Sequence, residues 1–278
     1  MVKLVSKNIF SFIFVHCNTS SFRRNLRRGI LITLLFSACS DVVEYSPFDT
    51  LVSAHNLNQK NISKIDTSCV DTLTFAFISD SHIFYDQLRD AINNVNADTT
   101  IRFVIVGGDF TSLGLMQEYE WFYSMMKKLS VPYVVAIGNH DYLSNGRRLY
   151  GKMFGESNFC FYVGHYRWVV FDDIVWENDN RAPNFIWLRE QLLDSCHFTL
   201  LVAHIPPWSD QLDHTFQPDF QKILSNNPPM LALFGHTHVY EVGNYVGVPY
   251  AIAGTIEDRT YLKISLIGKK AIIKKIDY

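Results

Sequence analysis

Leu73-Thr74-Phe75-Ala76-Phe77-Ile78, running into Ser79-Asp80-Ser81-His82, is the stretch that decides the fold. Its first six residues are apolar almost without interruption. A strand with one wet face alternates apolar and polar residues. A strand covered on both faces does not, and that is the habit of the parallel sheets of α/β proteins. Polar Asp80 and His82 stand just past the end of the run. The pattern recurs further along. Phe84 to Val95 predicts a helix, with Leu88, Ala91, Ile92 and Val95 at helical spacing. Ile101 to Val106 is a second apolar run, 115–129 a second helix, and Val131 to Ile137 a third run. This βαβαβ order predicts a parallel sheet with right-handed crossovers.

The second half is richer in strands. Phe161-Tyr162-Val163 and Trp168-Val169-Val170-Phe171 read as a hairpin around Gly164-His165. A helix is expected over 183–193. Phe198 to Ala203 and Met230 to Phe234 read as buried strands, and 246–252, 261–267 and 271–276 as further strands. With 278 residues, 48% apolar and 19% charged, the chain can build a sizeable core, and wholesale disorder is excluded.

The net charge of −2 hides an asymmetry. Residues 1–38 hold six Lys and Arg and no acid, so the remainder holds 19 of the 25 basic residues against all 27 acids, a formal −8. An acidic body argues against a nucleic-acid binder. The basic stretch Arg23 to Arg28 precedes the apolar run Ile30 to Phe36 and then Ser37-Ala38-Cys39. That is the layout of a secretory signal, and the run is too short to span a bilayer. Small residues before a Cys resemble a bacterial lipobox, although Phe36 stands where Leu is usual, which leaves simple signal cleavage open. The opening Cys39-Ser40-Asp41 also resembles lipoproteins of the Bacteroidetes. The expected organisation is a signal peptide with a lipobox-like end over 1–39, a tether and lead-in over 40–70, and one domain over 71–278. The protein is expected to be exported, anchored through a lipidated Cys39 and facing out of the cytoplasm. Cys69, Cys160 and Cys196 suggest neither a metal pair nor a disulfide framework.

Polar residues come after each apolar run in the same way. They are Asp80-Ser81-His82, Gly107-Gly108-Asp109, Gly138-Asn139-His140-Asp141, His204, and Gly235-His236-Thr237-His238. Ligands of open α/β sheets bind beyond the carboxyl ends of the strands, where all five groups fall. Each alone is unremarkable: Gly-Asn-His-Asp reads as a turn, and a lone His as a core residue. The alternation in Asp80-x-His82 and His236-x-His238 predicts both side chains on one side of an extended backbone.

The five groups in this order resemble the signature of the calcineurin-like metallophosphoesterases, over about residues 72–255. The resemblance implies a four-layer α/β/β/α sandwich with a binuclear metal centre. One ion would be held by Asp80, His82, Asp109 and His238, the second by Asp109, Asn139, His204 and His236, with Asp109 bridging. It also implies that His140 lies over the phosphate and that Asp141 orients it. A nitrogen-rich set with few carboxylates suits Mn, Fe, Zn or Ni over Ca or Mg. Two such ions clamp an in-line displacement at phosphorus, and a bridging hydroxide is the expected nucleophile. Ser112 stands where the purple acid branch has Tyr, so an iron–tyrosinate site is not expected. The implied activity is hydrolysis of a small phosphoester, mono- or diester. The alternatives are a non-catalytic binding module on the same fold and a nuclease. His214, Arg147 and Arg148 are secondary candidates for substrate contact.

Overall fold

The computed structural model describes residues 50–68, 71–194 and 196–278. The segment read as a signal peptide, Cys39 and Cys69 lie outside them. Strands β1 (Leu73–Ile78), β2 (Val104–Val106) and β3 (Tyr133–Val135) pair in parallel, as their unbroken apolar runs predict. β10 (Thr260–Ile267) pairs antiparallel with β1, and β11 (Lys270–Asp277) with β10, giving the order β11-β10-β1-β2-β3. The second sheet is β4 (Phe159–Val163), β5 (Tyr166–Val170), β6 (Phe198–Val202), β7 (Leu231–Phe234), β9 (Val248–Ile252) and β8 (Glu241–Tyr245), in that spatial order. Here β5, β6, β7 and β9 are parallel.

Residue alternation builds the layers. Leu73, Phe75 and Phe77 of β1 share one core with Trp168, Val170, Leu200, Val202, Leu231 and Leu233 of the other sheet. Ala76 and Ile78 face the opposite way, into a core with Leu88, Ile92 and Val95 of α2 (Tyr85–Ala97) and Phe122 of α3 (Met116–Met126). Leu188 of α6 (Phe185–Leu192) and Phe220 of α7 (Gln217–Asn226) cover the outer face of the second sheet with Leu201 and Phe234. The result is the α/β/β/α sandwich. Both sheets send the carboxyl ends of their parallel strands to one edge. A bridge between Ser79 and Thr255 lies just beyond those ends.

Several local readings change. The lead-in, from residue 50 on, is packed onto the domain. It forms α1 (Leu57–Ile62), with Ala54, Leu57 and Ile65 buried. Asn58 explains the docking. Its amide donates to the Val135 carbonyl at 2.9 Å and accepts from the Val135 N–H at 2.8 Å, pairing the open edge of β3 as a neighbouring strand would. Asn139–Tyr142 closes as a short helix, α4, where a turn is the simpler reading. It leads to α5 (Gly146–Met153), which the sequence pattern does not announce. Nor does it announce β8, because this exposed edge strand has hardly any apolar face. Among the described residues no helix is long and apolar enough to cross a membrane. Cys160 and Cys196 are free thiols.

Candidate metal centre

The loops at the common sheet edge turn sharply. Asp80, His82, Asp109, His236 and His238 all sit at positive φ, between 40° and 71°. The expectation of extended backbone at Asp80-x-His82 and His236-x-His238 is therefore corrected. Left-handed turns aim these side chains; strand alternation does not. Such conformations cost non-glycine residues roughly 1–3 kcal/mol each and persist where the surroundings over-determine them. Here the ladder does so. The Asp80 N–H donates to the Gly108 carbonyl at 3.1 Å and the His82 N–H to the Asp109 carbonyl at 3.0 Å. Glycine gives the close approach: a Cβ on Gly235 would lie 2.0 Å from Ser79 Oγ and 2.7 Å from Asp80 Oδ2.

Two side-chain groups result, Asp80–His82–His238 and Asp109–His204–His236, each with ligand atoms within 4.8 Å of one another. Asp109 links them. Its Oδ1 accepts the His140 N–H at 2.8 Å. Its Oδ2 is left to face His204 Nε2 at 3.1 Å and His82 Nε2 at 4.0 Å. Asp80 is fixed by the His236 N–H, at 3.0 Å from Oδ2, and its Oδ1 faces His238 Nε2 at 3.4 Å. Asn139 joins the second group, with Oδ1 3.1 Å from His236 Nδ1.

The rings are held by one nitrogen and leave the other inward. His204 Nδ1 is 2.8 Å from the Gly107 carbonyl, and its buried Nε2 is turned to Asp109 Oδ2. His82 Nδ1 is 3.1 Å from the Thr111 carbonyl, and its Nε2 lies 3.3 Å from His238 Nε2. Ring nitrogens turned inward onto the Asp80 and Asp109 carboxylates, two of them facing each other at 3.3 Å, fit a pair of divalent cations. Asp80, His82, Asp109 and His238 could hold one ion, and Asp109, Asn139, His204 and His236 the other.

Electrostatics without metal reflect this crowding. Burial disfavours a charged His204, but the Asp109 carboxylate beside it, with Asp80 behind, lifts the ring well above the ordinary histidine range. Asp109 is correspondingly held down by His204 against the effect of its own burial. His236 is pushed down to about 4 by burial and then by the His204 charge. His238 is raised by its contact with Asp80.

His140 lies beside this centre, its ring 4.8 Å from that of His82. Its Nδ1 is 2.8 Å from the Ser112 carbonyl, so Nε2 is the nitrogen left for a substrate. The role given to Asp141 is corrected. The hydrogen bonds of its carboxylate go elsewhere than to the His140 ring. It accepts from the Thr111 N–H and Oγ1, both at 2.8 Å, and from the Gly138 N–H at 2.9 Å. Asp141 therefore clamps the Gly107–Thr111 loop to the Gly138 turn, and the Ser112 carbonyl orients His140. Burial, then the nearby Asp109 charge, pushes Asp141 well up, against the pull of its three donors.

Two residues of the centre, Asp173 and Glu177, are absent from the candidates that the sequence supplies. Asp173 is fully buried and accepts from the His204 and Ile205 N–H groups at 3.3 and 3.0 Å. It comes just after the apolar run ending at Phe171, so the rule that picks out the other five groups reaches it too. Glu177 Oε1 accepts from Asn139 Nδ2 at 3.1 Å, and nothing in its own neighbourhood announces that. Among the secondary candidates, Arg147 lies over the Tyr142 ring at 5.9 Å, and Arg148 and His214 are exposed.

Residues 73–240 match the family described as calcineurin-like phosphoesterase. The chain belongs to this family, whose members are hydrolases that generally use a dimetal centre. A curated relative is the probable cyclic nucleotide phosphodiesterase of Xenorhabdus bovienii, 33% identical over 61 residues, 22% of this chain and 25% of that protein. Among solved structures, the purple acid phosphatase PPD1 of yellow lupin (Lupinus luteus) superposes with TM-score 0.56 at 14% identity, over 74% of this chain and 51% of that one. GAP50 of Plasmodium, the anchor in the inner membrane complex, gives TM-score 0.58 at 13% identity, over 74% and 84%. At these identities the two structures show the fold alone. The chain spans about a quarter of the curated relative and half of the phosphatase.

Proposed function

We propose that this protein is a metal-dependent hydrolase of small phosphoesters, working through two divalent transition-metal ions. The observation that carries the reading is Asp109 Oδ2, which faces histidines of both ligand groups while Oδ1 is fixed by the His140 N–H. Bound there, two divalent ions would hold a phosphoryl group and acidify water near neutral pH. The chain's own residues do the rest. Asp80, Asp109 and the Gly107 and Thr111 carbonyls hold the rings in place. His140, held at Nδ1, presents Nε2 to the leaving group and gives it a proton, a contribution of roughly 10²–10⁴-fold. A non-catalytic module would have no need of the complete ligand set. A nuclease would want a basic channel, which the acidic body disfavours.

Phosphodiesters are the substrate class to test first, because the curated relative carries that name. The test is a panel of phosphodiesters, phosphomonoesters and nucleotides assayed on the metal-free protein with and without Mn²⁺. Metal-dependent turnover of at least one class is expected. No turnover of any class with both ions bound would overturn the reading. Export and a lipid anchor at Cys39 complete the proposal, on the basic segment, the apolar run and Ser37-Ala38-Cys39. Cys39→Ala should release the protein from membranes or leave it unprocessed. A mature-sized variant that still partitions into membranes would refute the anchor.

A further inference from the structure

Asn139 has an amide with two unlike ends. Only its oxygen can bind a cation; its NH₂ would repel one. Nothing in the amide itself chooses between the two orientations. In the structure Nδ2 donates to Glu177 Oε1 at 3.1 Å, and Oδ1 is turned toward His236. Turning the amide over would set its oxygen against a carboxylate and its NH₂ into the cation group. We propose that Glu177 is a positioning residue: it locks the Asn139 amide with its oxygen inward and so sets the affinity of the Asp109–Asn139–His204–His236 group for its ion. The proposal rests on the reading of Asn139 as a metal ligand.

Glu177 is well placed to act as a fixed acceptor. It lies on a 3₁₀ turn, Trp176–Asn178, directly after Ile174 and Val175, each 1% exposed. Asp172 Oδ1 accepts the Ile174 N–H at 3.3 Å, and the Asn178 N–H closes the turn on the Val175 carbonyl at 3.1 Å. The buried residues anchor the loop, and the carboxylate is presented at its end. Partners that orient ligands in this way carry roughly 10–100-fold of metal affinity.

The test is competition titration of the metal-free, full-length protein with Zn²⁺ against a chromogenic chelator. Wild type should bind two ions. Glu177→Ala should weaken one of the two steps by roughly 10–100-fold and leave the other unchanged. Glu177→Gln should keep most of the affinity, because its carbonyl accepts the same hydrogen bond. If Glu177→Ala binds both ions as wild type does, or Gln is no better than Ala, the proposal falls. A second background separates orientation from folding. In Asn139→Asp there is no amide to orient and Glu177 faces a like charge, so adding Glu177→Ala should strengthen binding. An equal weakening in that background would mean that Glu177 only supports the loop, and would overturn the proposal. Failure of the function reading looks different: wild type itself would not bind two ions.

Discussion

Filling the Asp109–His204–His236 group with a divalent cation at neutral pH should expel about one proton. In the metal-free protein the His204 ring keeps both protons. One is on Nδ1 at the Gly107 carbonyl, 2.8 Å away; the other is on Nε2, 3.1 Å from Asp109 Oδ2. Asp109 raises the ring well above its ordinary range, so the Nε2 proton is still present at pH 7. A cation must displace it. His236, pushed down to about 4, is already neutral and releases none. Apparent affinity for this ion should therefore rise about tenfold per pH unit until His204 loses its proton unaided. The same pair makes a stability statement. A histidine raised by folding stabilises the metal-free protein fully below its unfolded value of about 6.5, and loses that contribution as pH rises through the folded value. Titration calorimetry in buffers of different ionisation enthalpy counts the protons. His238, raised by Asp80, adds some release of its own. The difference between wild type and His204→Asn isolates His204 and should be about one proton. Equal release from the two proteins, or an affinity flat between pH 6.5 and 8, would refute the assigned ion pair.

Asp109→Ala should lower metal content clearly below two ions per chain and abolish activity, more completely than loss of any ligand of one group alone; elemental analysis and turnover check both. His140→Ala should keep both ions yet lose roughly 10²–10⁴-fold in kcat on an alkyl phosphoester, whose leaving group needs the proton, and far less on a nitrophenyl ester. Equal losses would make His140 a positioning or electrostatic group. Gly138→Ala would put a Cβ 2.2 Å from Asp109 Oδ1 and 2.3 Å from its N. The carboxylate must give way by about 1 Å in a packed site, so metal should be lost while the circular dichroism of the fold persists. A fully loaded Gly138→Ala variant would show the turn to be softer than its contacts imply.

Much of the centre is legible because its residues share one local rule, a polar group directly after an apolar run. Asp80, Asp109, Asn139, His204 and His236 can be found so, since buried parallel strands leave an unmistakable sequence trace. The spacing of about one βα unit between groups brings them to one sheet edge. Asp173 obeys the same rule, although a lone acid after a strand stands out less than a cluster. Edge strand β8 escapes because it buries no face of its own. Helix α1 is hidden because its docking depends on Asn58, a polar residue pairing a strand edge far along the chain.

The sequence by itself determined the α/β class with its parallel strands and the five polar groups that follow them; the sandwich, the seven metal-ligand candidates and the histidine beside them came from the resemblance that those groups carry. The strands and the groups after them depend on strand composition and on the few residues directly after a strand, both properties of near neighbours in the chain. Tertiary structure alone decided which nitrogen of each ring turns inward, that Asp109 divides its two oxygens between a backbone N–H and the site, and that Asp141 clamps loops where orienting His140 was expected. It also decided that Glu177 holds the Asn139 amide. These are hydrogen bonds between residues up to 97 apart in the chain, as for His204 and the Gly107 carbonyl. Such partners are chosen by where the packed loops come to rest, because a buried donor or acceptor must pair with whatever group the fold places within about 3 Å of it.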